Sequence, residues 1–121
     1  MTEAYTYLFV RQDISLAQQI VQASHAALEA GRSFTDTAHR NLVLIGIANE
    51  HELFQIEQHL ALNGIRFETF YEPDGNMGHS SICTEALTDR RRRKMLAHFP
   101  LWKYQPDLVP QETRTEQDRV A

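Results

Sequence analysis

Cysteine is almost absent from this chain: of its 121 residues only Cys83 carries a thiol, so no internal disulfide can staple the fold. Long apolar runs are missing too. The longest, Leu42 to Ala48, holds seven residues including Gly46, far short of the roughly 20 that a membrane-spanning helix needs. The N-terminal MTEAYTY shows no basic segment leading into an apolar stretch, the pattern of a secretory signal. No glycine-rich phosphate loop is present, since Gly75 and Gly78 fit turn chemistry better. The histidines at 25, 39, 51, 59, 79 and 98 contain no H-x-x-x-H pair, and the four-residue step from His79 to Cys83 crosses a loop and a strand. Cys83 has no partner in its local sequence and reads as a packed thiol rather than a nucleophile. These absences argue against a disulfide scaffold, a membrane span, a P-loop and a histidine metal centre, and they call for no cofactor. They point to a soluble, cytoplasmic globular protein.

Charge is present but unevenly spread. The net charge is −4, yet five of the ten basic residues within 1–104 are consecutive, in RRRRK from Arg90 to Lys94. The protein is acidic with one concentrated cationic segment.

Periodicity divides the remainder. Ala4 to Arg11, AYTYLFVR, is rich in aromatic and β-branched residues and predicts a first strand. Ser15 and Gln18 fit a capping box that opens a helix running to about Ala30, with Gly31 as its stop. NLVLIGIA, residues 41–48, predicts a strand covered on both faces. Asn49 and Glu52 repeat the capping box, Leu53, Ile56, Leu60 and Ala61 give the second helix its buried face, and Gly64 ends it. RFETFY, 66–71, alternates as a third strand; Pro-Asp-Gly marks a loop over 72–81; a short strand over 82–87 follows. A last helix, opened by Thr88 or Asp89, carries the arginine run and is anchored by Met95 and Phe99. From Gln105 onward the composition offers almost nothing to bury and predicts a disordered polar tail. The expected fold is therefore an α/β domain over residues 1–104, three-layered, with a mixed four-stranded sheet in the order β-α-β-α-β-β-α. Its crevice should open beyond the carboxyl ends of the parallel strands.

Within the first helix, Leu16, Ile20, Ala23 and Ala27 form an apolar stripe at helical spacing, while Gln18, Gln22, His25 and Glu29 form a second, polar row. A surface helix would ordinarily fill that row with Lys and Glu. The stretch VRQDISLAQQIVQASHAAL resembles the opening of the archaeal and eukaryotic type of peptidyl-tRNA hydrolase, where a strand ending in V-R-x-D leads into a helix bearing K-x-x-x-Q-x-x-H-A. The likeness extends in element order over roughly residues 4–104. On that resemblance Gln22, His25 and Ala26 match the family pattern, and the catalytic lysine falls on Gln18. The loop aspartate falls on Glu72, the loop threonine on Asn76, and the later threonine on Thr84.

The resemblance implies a homodimer that binds tRNA and acts on the ester joining a peptide to the tRNA 3′ end, with Gln18, Gln22, His25, Glu72, Asn76 and Thr84 lining the site. Such hydrolysis needs a positioned water, a base and a donor for the developing oxyanion. Glu72 or His25 would orient the water, and Gln18, Gln22 or Asn76 would donate. With the cation absent at position 18, turnover should be weak or nil, because losing one oxyanion donor typically costs about a hundred- to a thousand-fold. The alternative places Gln18 and Gln22 on the outer surface and His25 against the sheet. The cations of Arg90, Arg91, Arg92, Arg93 and Lys94 read as a phosphate site for tRNA or another phosphate-bearing ligand, or else as a basic helix end balancing acidic neighbours. A non-catalytic nucleic-acid or protein interaction module using that run is the second functional reading. Trp102 reads as an anchor at a dimer interface or the core edge rather than a base-stacking platform.

Overall fold

The computed structural model describes residues 3–35 and 40–105. Its elements are β1 (Ala4–Arg11), α1 (Leu16–Ser33), β2 (Arg40–Ile47), α2 (Glu50–Leu62), β3 (Phe67–Glu72), one 3-10 turn (Asp74–Asn76), β4 (Gly78–Thr84) and α3 (Arg90–Leu96). The strands form one mixed sheet in the order β2-β1-β4-β3. β1 and β2 run parallel, and β4 runs antiparallel to both β1 and β3. The carboxyl ends of β1, β2 and β3 therefore share one edge of the sheet.

Strand alternation distributes the side chains between two faces. Tyr7, Phe9, Ile45, Ile47 and Ile82 turn toward Leu53, Ile56 and Leu60 of α2 and Leu96 of α3. Leu8, Leu44, Phe70 and Cys83 turn the other way and meet Ala26, Ala27 and Ala30 of α1. The small residues of α1 allow it to lie close to the sheet. Among the described residues no helix is long and apolar enough to cross a membrane.

Capping chemistry sets the helix starts as the sequence predicts. Ser15 accepts from the Gln18 N–H, Asn49 from the Glu52 N–H and Asp89 from the Arg92 N–H. Glu52 returns a bond to the Ala48 N–H at 3.0 Å. Gly64, at φ 68°, closes α2 in the left-handed conformation.

Three boundaries differ from expectation. α1 passes through Gly31 to Ser33, since nothing at that position demands a positive φ. β4 begins at Gly78 rather than residue 82, so the loop after β3 shrinks to one tight turn. Its missed residues include Ser80 and Ser81, both fully buried, whose polarity hides them from a hydrophobic pattern. α3 is anchored by Leu96, and Phe99 packs edge-on against Phe9 from beyond its end, with ring centroids 5.4 Å apart. Apart from exposed Gln105, the polar tail lies outside the described residues.

Residues 100–105 finish the domain beside β2. Leu101 bridges Ile45, the Trp102 N–H donates to Leu44 O at 2.8 Å, and the indole Nε1 donates to Gln19 Oε1 at 2.7 Å. Trp102 is thus a core-edge anchor within the chain.

Two glycines offer a paired test of this packing. A Cβ on Gly46 would overlap the Gln12 carboxamide, whereas one on Gly31 would meet open space. Gly46→Ala should lower stability by about 1–3 kcal/mol through overpacking, and Gly31→Ala should raise it by roughly 0.5 kcal/mol or slightly more. Urea denaturation of both variants against wild type measures the contrast.

Candidate functional site

Helix α1 lies with its polar row inward. Gln18 and Gln22 are 1% and 0% exposed, while Ile20 and Leu28 are 61% and 70% exposed. The stripe that the sequence offers as a core face therefore looks largely outward, and the amides face the sheet. Neither a surface role for Gln18 and Gln22 nor a solvent-filled hollow around them describes the arrangement.

The inward row makes a closed polar cluster. Gln22 Nε2 donates to Gln18 Oε1 at 2.9 Å and to Glu72 Oε2 at 3.0 Å, while Gln22 Oε1 accepts from Ser80 Oγ at 2.7 Å. One carboxamide thus uses both of its N–H groups and one carbonyl lone pair. Its backbone takes part as well, since Gln22 O accepts from Ser81 Oγ at 2.6 Å. The second carboxylate oxygen of Glu72 accepts from the Asp74 N–H at 3.1 Å, which fixes the turn after β3.

A β-bulge explains how two consecutive serines reach one helix. The β3–β4 register pairs Phe70 with Ser81 but Tyr71 with His79, leaving Ser80 as the extra residue. Ser81 shares a face with Cys83 by simple alternation, and without the bulge Ser80 would share one with Ile82. The irregularity turns its hydroxyl toward Gln22 instead.

The other expected site residues are not all in this cluster. His25, one turn further along α1, stacks on Phe70 with ring centroids 4.3 Å apart and planes 2° from parallel. Among the described residues its ring nitrogens have no hydrogen-bond partner. Asn76 stands exposed in the tight turn at φ 56°. Thr84 sits at the opposite end of the β3–β4 hairpin, opposite Phe67, where its Oγ1 accepts from the Tyr7 N–H at 3.0 Å and donates to Glu85 O at 2.8 Å. About six strand residues at 3.3 Å each, near 20 Å, separate it from the end of the hairpin where Glu72 lies. The structure brings Gln18, Gln22 and Glu72 together, sets His25 beside them, and leaves Asn76 and Thr84 outside.

Sequence reasoning missed several members of this edge. Ser80 and Ser81 complete the cluster, and Arg11 ties it down. The Arg11 guanidinium forms two 2.9 Å bonds with Asp13 and donates to the carbonyls of Met77 and His79. Only the V-R-x-D stretch hinted at Arg11; nothing local distinguishes the two serines.

The cationic run divides by function. Arg92 is held by Asp89 at 2.7 Å and by Gly64 O at 3.0 Å, and the Arg93 guanidinium lies 3.6 Å from the centre of the Tyr5 ring. Arg90, Arg91 and Lys94 are exposed. Tyr5 is the second residue of β1, so the beginning of α3 stands at the sheet edge opposite the glutamine cluster. Among the described residues no group of three or more His, Cys, Asp or Glu side chains is placed to hold a metal ion. Burial pushes the Cys83 thiol up to about 12.

No family model and no curated protein matches the chain. Among solved structures, a protein of unknown function from Agrobacterium tumefaciens strain C58 superposes with a TM-score of 0.64. That match is at 10% identity and covers 85% of this chain and 100% of the other. The likeness is one of fold: a small α/β domain with a mixed four-stranded sheet and three helices.

Three outcomes follow from this geometry. Gln22→Ala should cost roughly 2–4 kcal/mol in urea denaturation, because it strands Glu72, Gln18 and Ser80 partners away from water. A thiol pKa displaced from 9.0 to about 12 lowers the thiolate fraction of native Cys83 roughly a thousand-fold. A disulfide reagent should therefore label it only after denaturation. Asp89 is held below the usual 3.8 first by the Arg92 side chain and then by the Arg92 backbone N–H. A lowered folded value means its cap contribution is present above 3.8 and fades as pH falls through the lowered value. The protection factor of the Arg92 amide should fall on acidification below 3.8, and Asp89→Asn should flatten that dependence.

Proposed function

We propose that this chain is a divergent, non-hydrolysing peptidyl-tRNA hydrolase-like domain, three-layered and cytoplasmic, that binds tRNA or another phosphate-bearing ligand. One observation carries the loss of hydrolysis. The position that falls on the family's lysine holds Gln18, which is buried and accepts a hydrogen bond from Gln22. A neutral, dehydrated amide supplies neither a cation for a developing oxyanion nor access for a water. The Glu72 oxygens are occupied by Gln22 and the Asp74 N–H, and His25 is stacked on Phe70. Neither is posed as a base for attack on an ester.

The binding half of the proposal rests on Arg90, Arg91 and Lys94. Positions 90 and 94 are neighbours at i, i+4 on a helix, and Arg91 lies beside them, giving one exposed cationic patch. Phosphate contacts of this kind set affinity without reading sequence. The polar cluster and the patch occupy opposite sheet edges, which favours backbone contact alone over capture of a tRNA 3′ end. A homodimer belongs to the same reading, supported by the outward apolar residues Leu16, Ile20 and Leu28 on α1. Burying such side chains against a second copy would relieve their exposure.

The test uses purified protein with peptidyl-tRNA and with deacylated tRNA. Ester cleavage should stay at the background rate for wild type. Filter binding should show an affinity that falls with salt, with a logarithmic slope of about −2 to −3 for three phosphate contacts. Replacing Arg90, Arg91 and Lys94 by Ala together should abolish that slope, while Arg92 and Arg93 should matter chiefly for stability. Measurable cleavage that His25→Ala removes would overturn the non-hydrolysing assignment, and salt-independent or absent binding would overturn the phosphate role.

A further inference from the structure

A cavity of about 400 Å³ opens at the carboxyl ends of β1 and β2. It shares no residue with the Gln18–Gln22–Glu72 cluster. Its walls include Gln12 and Asp13 after β1, Gly46 and Ile47 at the end of β2, Glu52 in the first turn of α2, and Phe99 beyond α3. A volume near 400 Å³ lies in the range of about 300–1,000 Å³ typical of small-molecule pockets.

Gln12 gives the cavity its chemistry. Its side chain is 6% exposed, and its Nε2 donates to Lys103 O at 2.7 Å. Because Lys103 O can only accept, the carboxamide orientation is fixed and Oε1 must point away from residue 103. That oxygen lies over Gly46, where the missing Cβ makes room for it. Among the described residues nothing donates to Gln12 Oε1. It is not among the fully buried unpartnered atoms, so it is open to the cavity as an acceptor that a ligand N–H can take over from water.

Two carboxylates add to this acceptor, while Gln105 carries donors and an acceptor alike. Glu52 accepts from the Ala48 N–H through one oxygen, leaving its other oxygen without a protein donor among the described residues. Asp13 is neutralised by Arg11, which is not part of the cavity wall. Acceptors therefore outnumber donors, the local charge is negative, and Ile47, Phe99 and Pro100 supply an apolar surface.

We propose that this cavity is a binding site for a small amphiphile bearing a primary ammonium group on a compact apolar body, with Gln12 Oε1 and Glu52 receiving the ammonium and Phe99 covering the apolar part. The site does not depend on the tRNA reading.

Phenethylamine is a suitable probe, with 2-phenylethanol as its uncharged counterpart. Titration of the full chain, followed by backbone amide NMR shifts, should give saturable changes centred on Gly46, Ala48 and Glu52. Glu52→Gln keeps a capping-box side chain at that position but removes the charge, and it should weaken phenethylamine binding roughly ten-fold, as expected for a charge-assisted hydrogen bond. Phe99→Leu should weaken both probes alike. Absence of saturable shifts at those amides overturns the proposal, as does equal binding of amine and alcohol, or an amine affinity that Glu52→Gln leaves unchanged.

Discussion

The Gln22 carboxamide is the junction on which the carboxyl edge of this domain depends. It reaches β3 through Glu72, the bulge of β4 through Ser80, and its own helix through Gln18, while its backbone carbonyl receives Ser81. Hydrogen bonds of this sort contribute little net when made and cost a great deal when left open inside a protein. The cluster is thus better understood as a constraint on position than as a reservoir of stability. It admits one register of α1 against the hairpin, because a rotation or slide of the helix would leave four polar partners dry. The alanines at 26, 27 and 30 let the helix approach closely enough for these bonds to form.

From that constraint follows a separation between the two sheet edges. At the carboxyl edge, α1, the β3–β4 turn and the Arg11–Asp13 pair lock together, and beside them the segment 100–105 closes over β2 to leave an acceptor-rich cavity. At the opposite edge, Tyr5 and Leu87 exchange backbone hydrogen bonds, and Arg92 and Arg93 hold α3 in place. Two of the five clustered cations are thereby used in the fold, which leaves three for any anionic partner. A charge count from sequence overstates the free cationic surface because it cannot see which guanidinium groups find carboxylates or rings.

Much of the architecture was legible in the sequence because capping boxes and strand propensities act locally. Ser15, Asn49 and Asp89 announce helix starts by their own chemistry, and Gly64 announces an end. The inward row of α1 was legible in its spacing but not in its direction. Leu16, Ile20 and Ala23 suggest a buried stripe on hydrophobicity alone, yet a row of Gln can be the inner one when serines and a glutamate wait on the sheet. Those partners are 50 to 59 residues away in sequence. The bulge at Ser80 has no local signature, so the hydrophobic pattern starts β4 four residues too late. Thr84, aligned by resemblance with a site residue, turned out to cap a backbone N–H of β1 at the far end of the hairpin.

The hydrogen-bond directions within the cluster suit a Gln at position 18. Gln18 Oε1 accepts from Gln22 Nε2, whose other hydrogen goes to Glu72, and Ser80 then donates to Gln22 Oε1. A lysine at position 18 would set a donor against a donor. If the Gln22 amide flipped to receive it, its oxygen would face the acceptor Glu72 and its nitrogen would face a hydroxyl that now donates. A lysine would instead require a direct ion pair with Glu72 in a nearly dehydrated place, where removal of the ammonium from water offsets much of the attraction. The uncharged amides of Gln22 and Gln18 satisfy the Glu72 carboxylate without that second desolvation.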